Sequence, residues 1–231
     1  MLGCQRSGHR QKKCAETDIV MKLQTVIVVL AAGRGSRFAG PQHKLGQALG
    51  SRTVLGQTLT QAIASGMPVV VVTTDSLAGE AARWVAQRDL VIVPAAGSTA
   101  GGPLGMGYSI AAGVAARPQA QGWLVLPGDM PLVRPSTLVA VAQGLAQSPI
   151  VFAQHLGRRG HPVGFGAELY PELVQLDGDA GARRVSARYP SVGLELGDPG
   201  VLIDVDTESD LATVRRLAGP SLTPASAARG D

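Results

Sequence analysis

The residues best suited to chemistry lie between positions 31 and 44. Ala31-Ala32-Gly33-Arg34-Gly35 is a small-residue turn, followed by Arg37 and then Lys44. Alanines and glycines let the backbone come close to a ligand. Successive N–H groups in such a turn, ahead of a helix, form an anion site. With two cations beside it the arrangement suits a polyphosphate. Leu30, Ala31, Ala32, Gly33, Gly35, Arg37 and Lys44 are the residues expected to hold one. Neither common phosphate loop fits. A dinucleotide fingerprint needs G-x-G-x-x-G, and Phe38 stands where the third Gly belongs. A P-loop needs Gly-Lys-Ser/Thr, and the chain has His43-Lys44-Leu45.

Carboxylates come later. Leu126-Pro127-Gly128-Asp129-Met130-Pro131 ends an apolar run with an acid in a turn fixed by Pro and Gly. That is a good hard-cation ligand, although Asp129 could also cap the next helix. Val201 to Asp210 (VLIDVDTESD) brings Asp204 and Asp206. If 201–205 is a strand, the two acids share one face. Thr207 or Asp206 could equally cap the final helix, with Asp210 in its first turn. The sequence shows no Ser/His/Asp or Cys/His set. None is needed where the nucleophile is already an anion and catalysis consists of alignment and charge neutralisation.

Short apolar runs must position these groups. Strands are expected at 25–31, 68–74, 90–93, 122–126, 150–153, 162–166 and 201–205. Helices are expected at 53–65, 77–87, 106–116, 135–147, 167–175, 180–188 and 207–217. Continuous apolar strands separated by helical lengths indicate βαβ units and a mostly parallel sheet. The fold class is therefore α/β: a single three-layer, Rossmann-like domain over residues 23–218. Ligands of such sheets bind at the carboxyl ends of strands, which groups the glycine loop, Thr73-Thr74, Asp129 and Asp204/Asp206. The glycine-rich stretch 153–166 reads as a loop or hairpin leaving the sheet.

The chain has 231 residues and a net charge of +4. Residues 1–22 hold five of the Lys and Arg against Glu16 and Asp18, which is +3 of that total. The rest lacks the basic stripe with stacking aromatics that nucleic acid requires. Both cysteines, Cys4 and Cys14, lie in the same leading segment, so the body holds no disulfide framework or structural zinc site. No apolar run reaches the roughly 18–20 residues of a membrane span, and the leading segment lacks a signal-peptide core. A cytoplasmic protein is expected, with Met21 as its natural start and disordered ends at 1–22 and 219–231.

Leu30-Ala31-Ala32-Gly33-Arg34-Gly35-Ser36-Arg37-Phe38-Ala39-Gly40, with Lys44 beyond it, resembles the signature of nucleotidyltransferases related to molybdopterin cytidylyl- and guanylyltransferases. One residue, Ala39, is extra before the Gly. The resemblance spans about residues 24–218, with further motifs in the family's order. It implies that Gly128-Asp129-Met130-Pro131 binds Mg²⁺, and that Asp206, or else Asp204, is the second ligand. It places Ser109-Ile110, opening a helix after a glycine turn, near the base and ribose, while Thr74 joins the nucleotide site by its place at a strand's carboxyl end. It sets His161 and Pro162 beside the acceptor. Gly178-Asp179-Ala180-Gly181-Ala182-Arg183 matches G-D-x-G-A-R, typical of the cytidylyltransferase branch, and adds Asp179 and Arg183 to the substrate site. The implied donor is CTP, the implied acceptor molybdenum-loaded molybdopterin, and a recipient molybdoenzyme or its chaperone the implied protein partner. GTP, or a sugar-phosphate or phospholactate acceptor, stays open, as does a protein that binds without turnover. A Rossmann oxidoreductase is disfavoured by the missing third Gly and by the lack of an acid near position 53.

Overall fold

The Val-rich run after Gln24 becomes the centre of a sheet. In the computed structural model, which describes residues 24–33, 35, 38, 43–95 and 105–219, nine strands and seven helices are seen among those residues. The strands are β1 (Thr25–Ala31), β2 (Ala48–Leu49), β3 (Arg52–Thr53), β4 (Val69–Thr73), β5 (Leu90–Ile92), β6 (Gly122–Pro127), β7 (Ile150–His155), β8 (Arg158–Gly166) and β9 (Ser191–Glu195). The helices are α1 (Val54–Ala64), α2 (Asp75–Ala81), α3 (Gly105–Ala115), α4 (Pro135–Gly144), α5 (Tyr170–Leu173), α6 (Arg183–Arg188) and α7 (Glu208–Ala218). The leading and trailing segments expected to be disordered, with both cysteines, lie outside the described residues, apart from Gly219 at the start of the trailing one.

The main sheet has seven strands in the order β5-β4-β1-β6-β8-β7-β9. Central β1 pairs parallel with β4 (Val29 opposite Val71) and with β6 (Val29 opposite Leu126). Among the described strands of this sheet β8 alone runs against its neighbours, pairing antiparallel with β6 and β7. Both faces are covered, which is why β1, β4 and β6 read as continuous apolar runs rather than alternating ones. On one face Ile27, Val29, Val71 and Leu126 pack with Leu55 and Leu59 of α1, Leu138 of α4 and Leu211 of α7. On the other, Val28, Val72 and Val125 pack with Ile110 and Val114 of α3. The expected three-layer, mostly parallel α/β fold is the observed one.

Strand β9 was not expected, and two of the expected segments differ. Residues 201–205 are not a strand. A 3₁₀ turn spans Pro199–Leu202, because the buried Asp198 carboxylate accepts from Gly200 N–H (3.0 Å), Arg134 N–H (2.9 Å) and the Thr137 hydroxyl (2.6 Å) and bends the chain there. Val201 and Val205 are still fully buried, which is what gave the segment its strand-like pattern. The stretch 153–166 does not leave the sheet: it is the β7–β8 hairpin, built into it.

The hairpin's two-residue loop, Leu156-Gly157, has φ of 49° and 74°. Positive φ at both central positions is the demand of a type I′ turn, which favours Asn-Gly. Leucine in the left-handed region is unfavourable by roughly 1–2 kcal/mol, and Leu156 is 80% exposed, so it offers little packing in return. Leu156→Asn is expected to stabilise the protein by about 1 kcal/mol. A urea titration checks this; an unchanged or lower midpoint would contradict it.

Candidate active site

Three segments converge at the carboxyl ends of β1 and β6. The Pro127–Asp129 turn is fixed to β1 by Gly128 N–H donating to Leu30 O (2.8 Å), and to α1 by the Thr58 hydroxyl donating to Gly128 O (2.9 Å). Val205 N–H donates to Asp129 O (3.0 Å), which ties the final acidic segment to the same turn. A short turn at Lys44–Gly46 supplies the third piece. His43 staples it to the glycine loop: its Nε2 lies 2.8 Å from Gly33 O, and its Nδ1 accepts from Leu45 N–H (3.2 Å). Both contacts are satisfied by one neutral tautomer, protonated at Nε2.

At the meeting point the Lys44 ammonium donates to Asp129 Oδ2 at 2.6 Å and to Asp206 Oδ1 at 2.7 Å. Burial opposes the charge on Lys44 most strongly. The attraction and hydrogen bonds of Asp129 and Asp206 together outweigh it, holding the ammonium above the usual lysine range. Asp204 completes the group: one oxygen from each of Asp129, Asp204 and Asp206 lies within 4.8 Å of the others. Desolvation, then the like charges of Asp206 and Asp129, push the Asp204 carboxyl up. Asp129 Oδ1 is buried and has no hydrogen-bond partner among the described residues. A buried, unpartnered carboxylate oxygen is costly unless something fills its valence. Three hard oxygen donors around such an atom fit a divalent cation of the Mg²⁺ class.

The bland account of the final acidic segment resolves cleanly. Thr207 caps α7, its hydroxyl accepting from Asp210 N–H, while Asp210 accepts from Thr207 N–H in return. Capping therefore does not occupy the Asp206 side chain, which faces Lys44. Asp204 and Asp206 point to one cluster as expected, although an extended segment rather than a strand delivers them.

The other expected residues divide into backbone donors, wall residues and buried residues. Gly33 has open space where a side chain would be, as a loop that receives a ligand needs. Ala31 is buried at the end of β1 and can offer only its backbone. Thr74 is buried and exchanges a hydrogen bond with Ser76 (2.9 Å), and Ser109 is buried in α3. Asp179 and Arg183 are exposed, and their segment is carried to the start of α3, where Gly107 N–H donates to Gly178 O at 2.8 Å. A Cβ on Gly107 would lie 2.3 Å from Asp177 O, so only glycine permits this contact. His161 is half-buried, and Asp129 is close enough to act on its charge. Pro162 is buried beside it. Arg37 lies outside the described residues. The Lys44 clamp itself was not foreseen: Lys44 is 85 residues from Asp129 and 162 from Asp206, and no local pattern links them. Among the described residues no helix is long and apolar enough to cross a membrane.

Residues 27–192 match the MobA-like NTP transferase domain. Phosphoenolpyruvate guanylyltransferase of Mycolicibacterium smegmatis is 34% identical over 178 residues, 76% of this chain and 76% of that protein. The bifunctional protein GlmU of Zymomonas mobilis is 34% identical over 119 residues, 51% of this chain and 26% of that protein. The chain thus spans about a quarter of the length of the GlmU relatives it matches. Among solved structures, Rv0371c of Mycobacterium tuberculosis aligns with a TM-score of 0.67 at 28% identity, covering 84% of this chain and 98% of that one. A complex of Rv0371c with manganese aligns at 0.64 and 26% identity, with the same coverage. A domain match over most of the chain, a relative aligned along three quarters of both lengths, and a shared fold agree: the chain belongs to the MobA-like NTP transferase family.

Proposed function

We propose that the protein is a Mg²⁺-dependent nucleotidyltransferase that moves CMP from CTP onto the phosphate of molybdenum-loaded molybdopterin and releases pyrophosphate. The observation that carries the reaction class is the acid cluster Asp129/Asp204/Asp206, with Lys44 held by Asp129 and Asp206, beside a glycine loop at the strand ends. The base and acceptor rest on the resemblance of Gly178 to Arg183 to the cytidylyltransferase branch.

The acceptor's phosphate monoester is an anion at neutral pH and needs no general base. Its oxygen forms a bond to the α-phosphorus as the α–β bridging bond breaks, and the electron pair leaves with pyrophosphate. Asp129, with Asp206 or Asp204, would hold the cation, which when bound supplies neutralising charge at the phosphate oxygens. The N–H groups of Ala32, Gly33 and Gly35 would donate to phosphate oxygens, and Arg37, outside the described residues, is expected to add charge. Lys44 neutralises the acids while the triphosphate is absent and turns to the β- and γ-phosphates when it binds. Ser109 and the start of α3 lie toward the base. His161, Pro162, Asp179 and Arg183 border the acceptor.

A second reading is guanylyl transfer to a small phosphorylated acid. It is favoured by the 34% identity with phosphoenolpyruvate guanylyltransferase along 76% of both chains. One matrix of assays separates the two: CTP, GTP, ATP and UTP, each with molybdenum-loaded molybdopterin, phosphoenolpyruvate or phospholactate, read by pyrophosphate release. Release confined to CTP with molybdopterin is the expected result. Release confined to GTP with a small phosphoacid would replace the first reading by the second.

A further inference from the structure

Arg159 lies two residues before His161 on β8, with Gly160 between them. A Cβ on Gly160 would come within 2.2 Å of Val201 O, because the Pro199–Leu202 turn crosses the strand at contact distance. That face of β8 is closed. The pairing of Arg159 with Gln154, on the same β7 face as Phe152, puts Arg159 on the opposite face, the face on which Val163 of the same strand packs with Phe152. There the Arg159 guanidinium sits 4.2 Å from the centroid of the Phe152 ring. Stacking of this kind orients a planar donor fork without using its N–H groups. Among the described residues no carboxylate pairs with Arg159, although the side chain is exposed. Its neighbour His161 is held below the usual imidazole range, first by burial and then by the positive charge of Arg159, against the pull of Asp129. Strand β8 runs antiparallel to β6 with Val163 opposite Val125, so Arg159, four residues before Val163, lies alongside the carboxyl end of β6 that carries Asp129.

The reaction brings an anionic acceptor to an anionic triphosphate beside three carboxylates. Lys44 is already committed to two of those acids. An oriented guanidinium beside the carboxyl end of β6, with no carboxylate partner among the described residues, is the group best suited to receive the incoming anion bidentately. We infer that Arg159 is the residue that binds the acceptor's phosphate and so selects for phosphorylated acceptors. This rests on the transfer reading above.

The test is steady-state kinetics of the full-length wild type, Arg159→Ala and Arg159→Lys, with saturating CTP and Mg²⁺ and varied molybdenum-loaded molybdopterin. CTP binding is measured separately without acceptor. Loss of a charge-assisted hydrogen bond predicts a rise of about 10- to 100-fold in the acceptor KM of Arg159→Ala. CTP affinity should hold within about twofold, and Arg159→Lys should recover part of the loss, since lysine keeps the charge without the fork. An unchanged acceptor KM in Arg159→Ala, or an equal loss of CTP affinity, would overturn the assignment while leaving the transfer reading intact. A wild type that releases no pyrophosphate would bring down the transfer reading and this inference with it.

Discussion

Asp129→Asn is expected to lower nucleotidyl transfer by about a thousandfold, some 4 kcal/mol of transition-state stabilisation. The variant keeps the shape of the side chain and removes only its charge. The turn around it should survive, because Asp129 binds the neighbouring segment through its main-chain oxygen, which accepts from Val205 N–H. Lys44 also keeps Asp206 as a partner at 2.7 Å. What disappears is the acid whose Oδ1 is buried without a hydrogen bond among the described residues, the atom best placed to meet a cation. Pyrophosphate release and Mn²⁺ binding should fall together while the melting temperature moves little. A variant retaining more than about a tenth of the wild-type rate would remove Asp129 from the chemistry.

Lys44→Met is expected to act in opposite directions on metal and on turnover. The ammonium lies between two half-buried carboxylates and pairs with both. An apolar side chain of similar length leaves those acids facing one another, a like-charge arrangement that a divalent cation relieves. Mn²⁺ binding without nucleotide should therefore tighten by about tenfold or more, which corresponds to about 1.4 kcal/mol. Turnover should drop by about a hundredfold, because the departing pyrophosphate loses a cation. Triphosphate affinity should weaken far more than monophosphate affinity. The free-ion signal in a Mn²⁺ titration decides the point: weaker binding in Lys44→Met would show that the lysine does not compete with metal.

How much of this could be read from the sequence depended on how local the cause was. Strands β1, β4 and β6 are buried on both faces, so their apolar runs were unambiguous, and α1 and α7 carry their own threonine caps. Strand β9 was missed because Ser191–Glu195 is a half-exposed edge containing Gly193, with neither alternation nor an apolar run to mark it. The 201–205 stretch misled for the opposite reason. Its buried valines mimic a strand, and the bend comes from Asp198, whose partners Arg134 and Thr137 are more than 60 residues away. The acids were legible singly and their assembly was not, since only the order of strands in the sheet brings residues 44, 129 and 206 together. Arg159 was visible as one of a pair of arginines in a glycine-rich stretch. What singles it out is Phe152 under its guanidinium, a contact made across the hairpin.

The central claim is that one centre of acids and lysine serves both metal and triphosphate. Its most direct test is a crystal structure of the protein grown with Mn²⁺ and a non-hydrolysable CTP analogue, with anomalous scattering to locate the metal. The account predicts manganese on Asp129 and on Asp206 or Asp204, with the Lys44 ammonium moved from the carboxylates to the phosphates. Manganese elsewhere, or Lys44 still spanning Asp129 and Asp206 with the nucleotide bound, would contradict it.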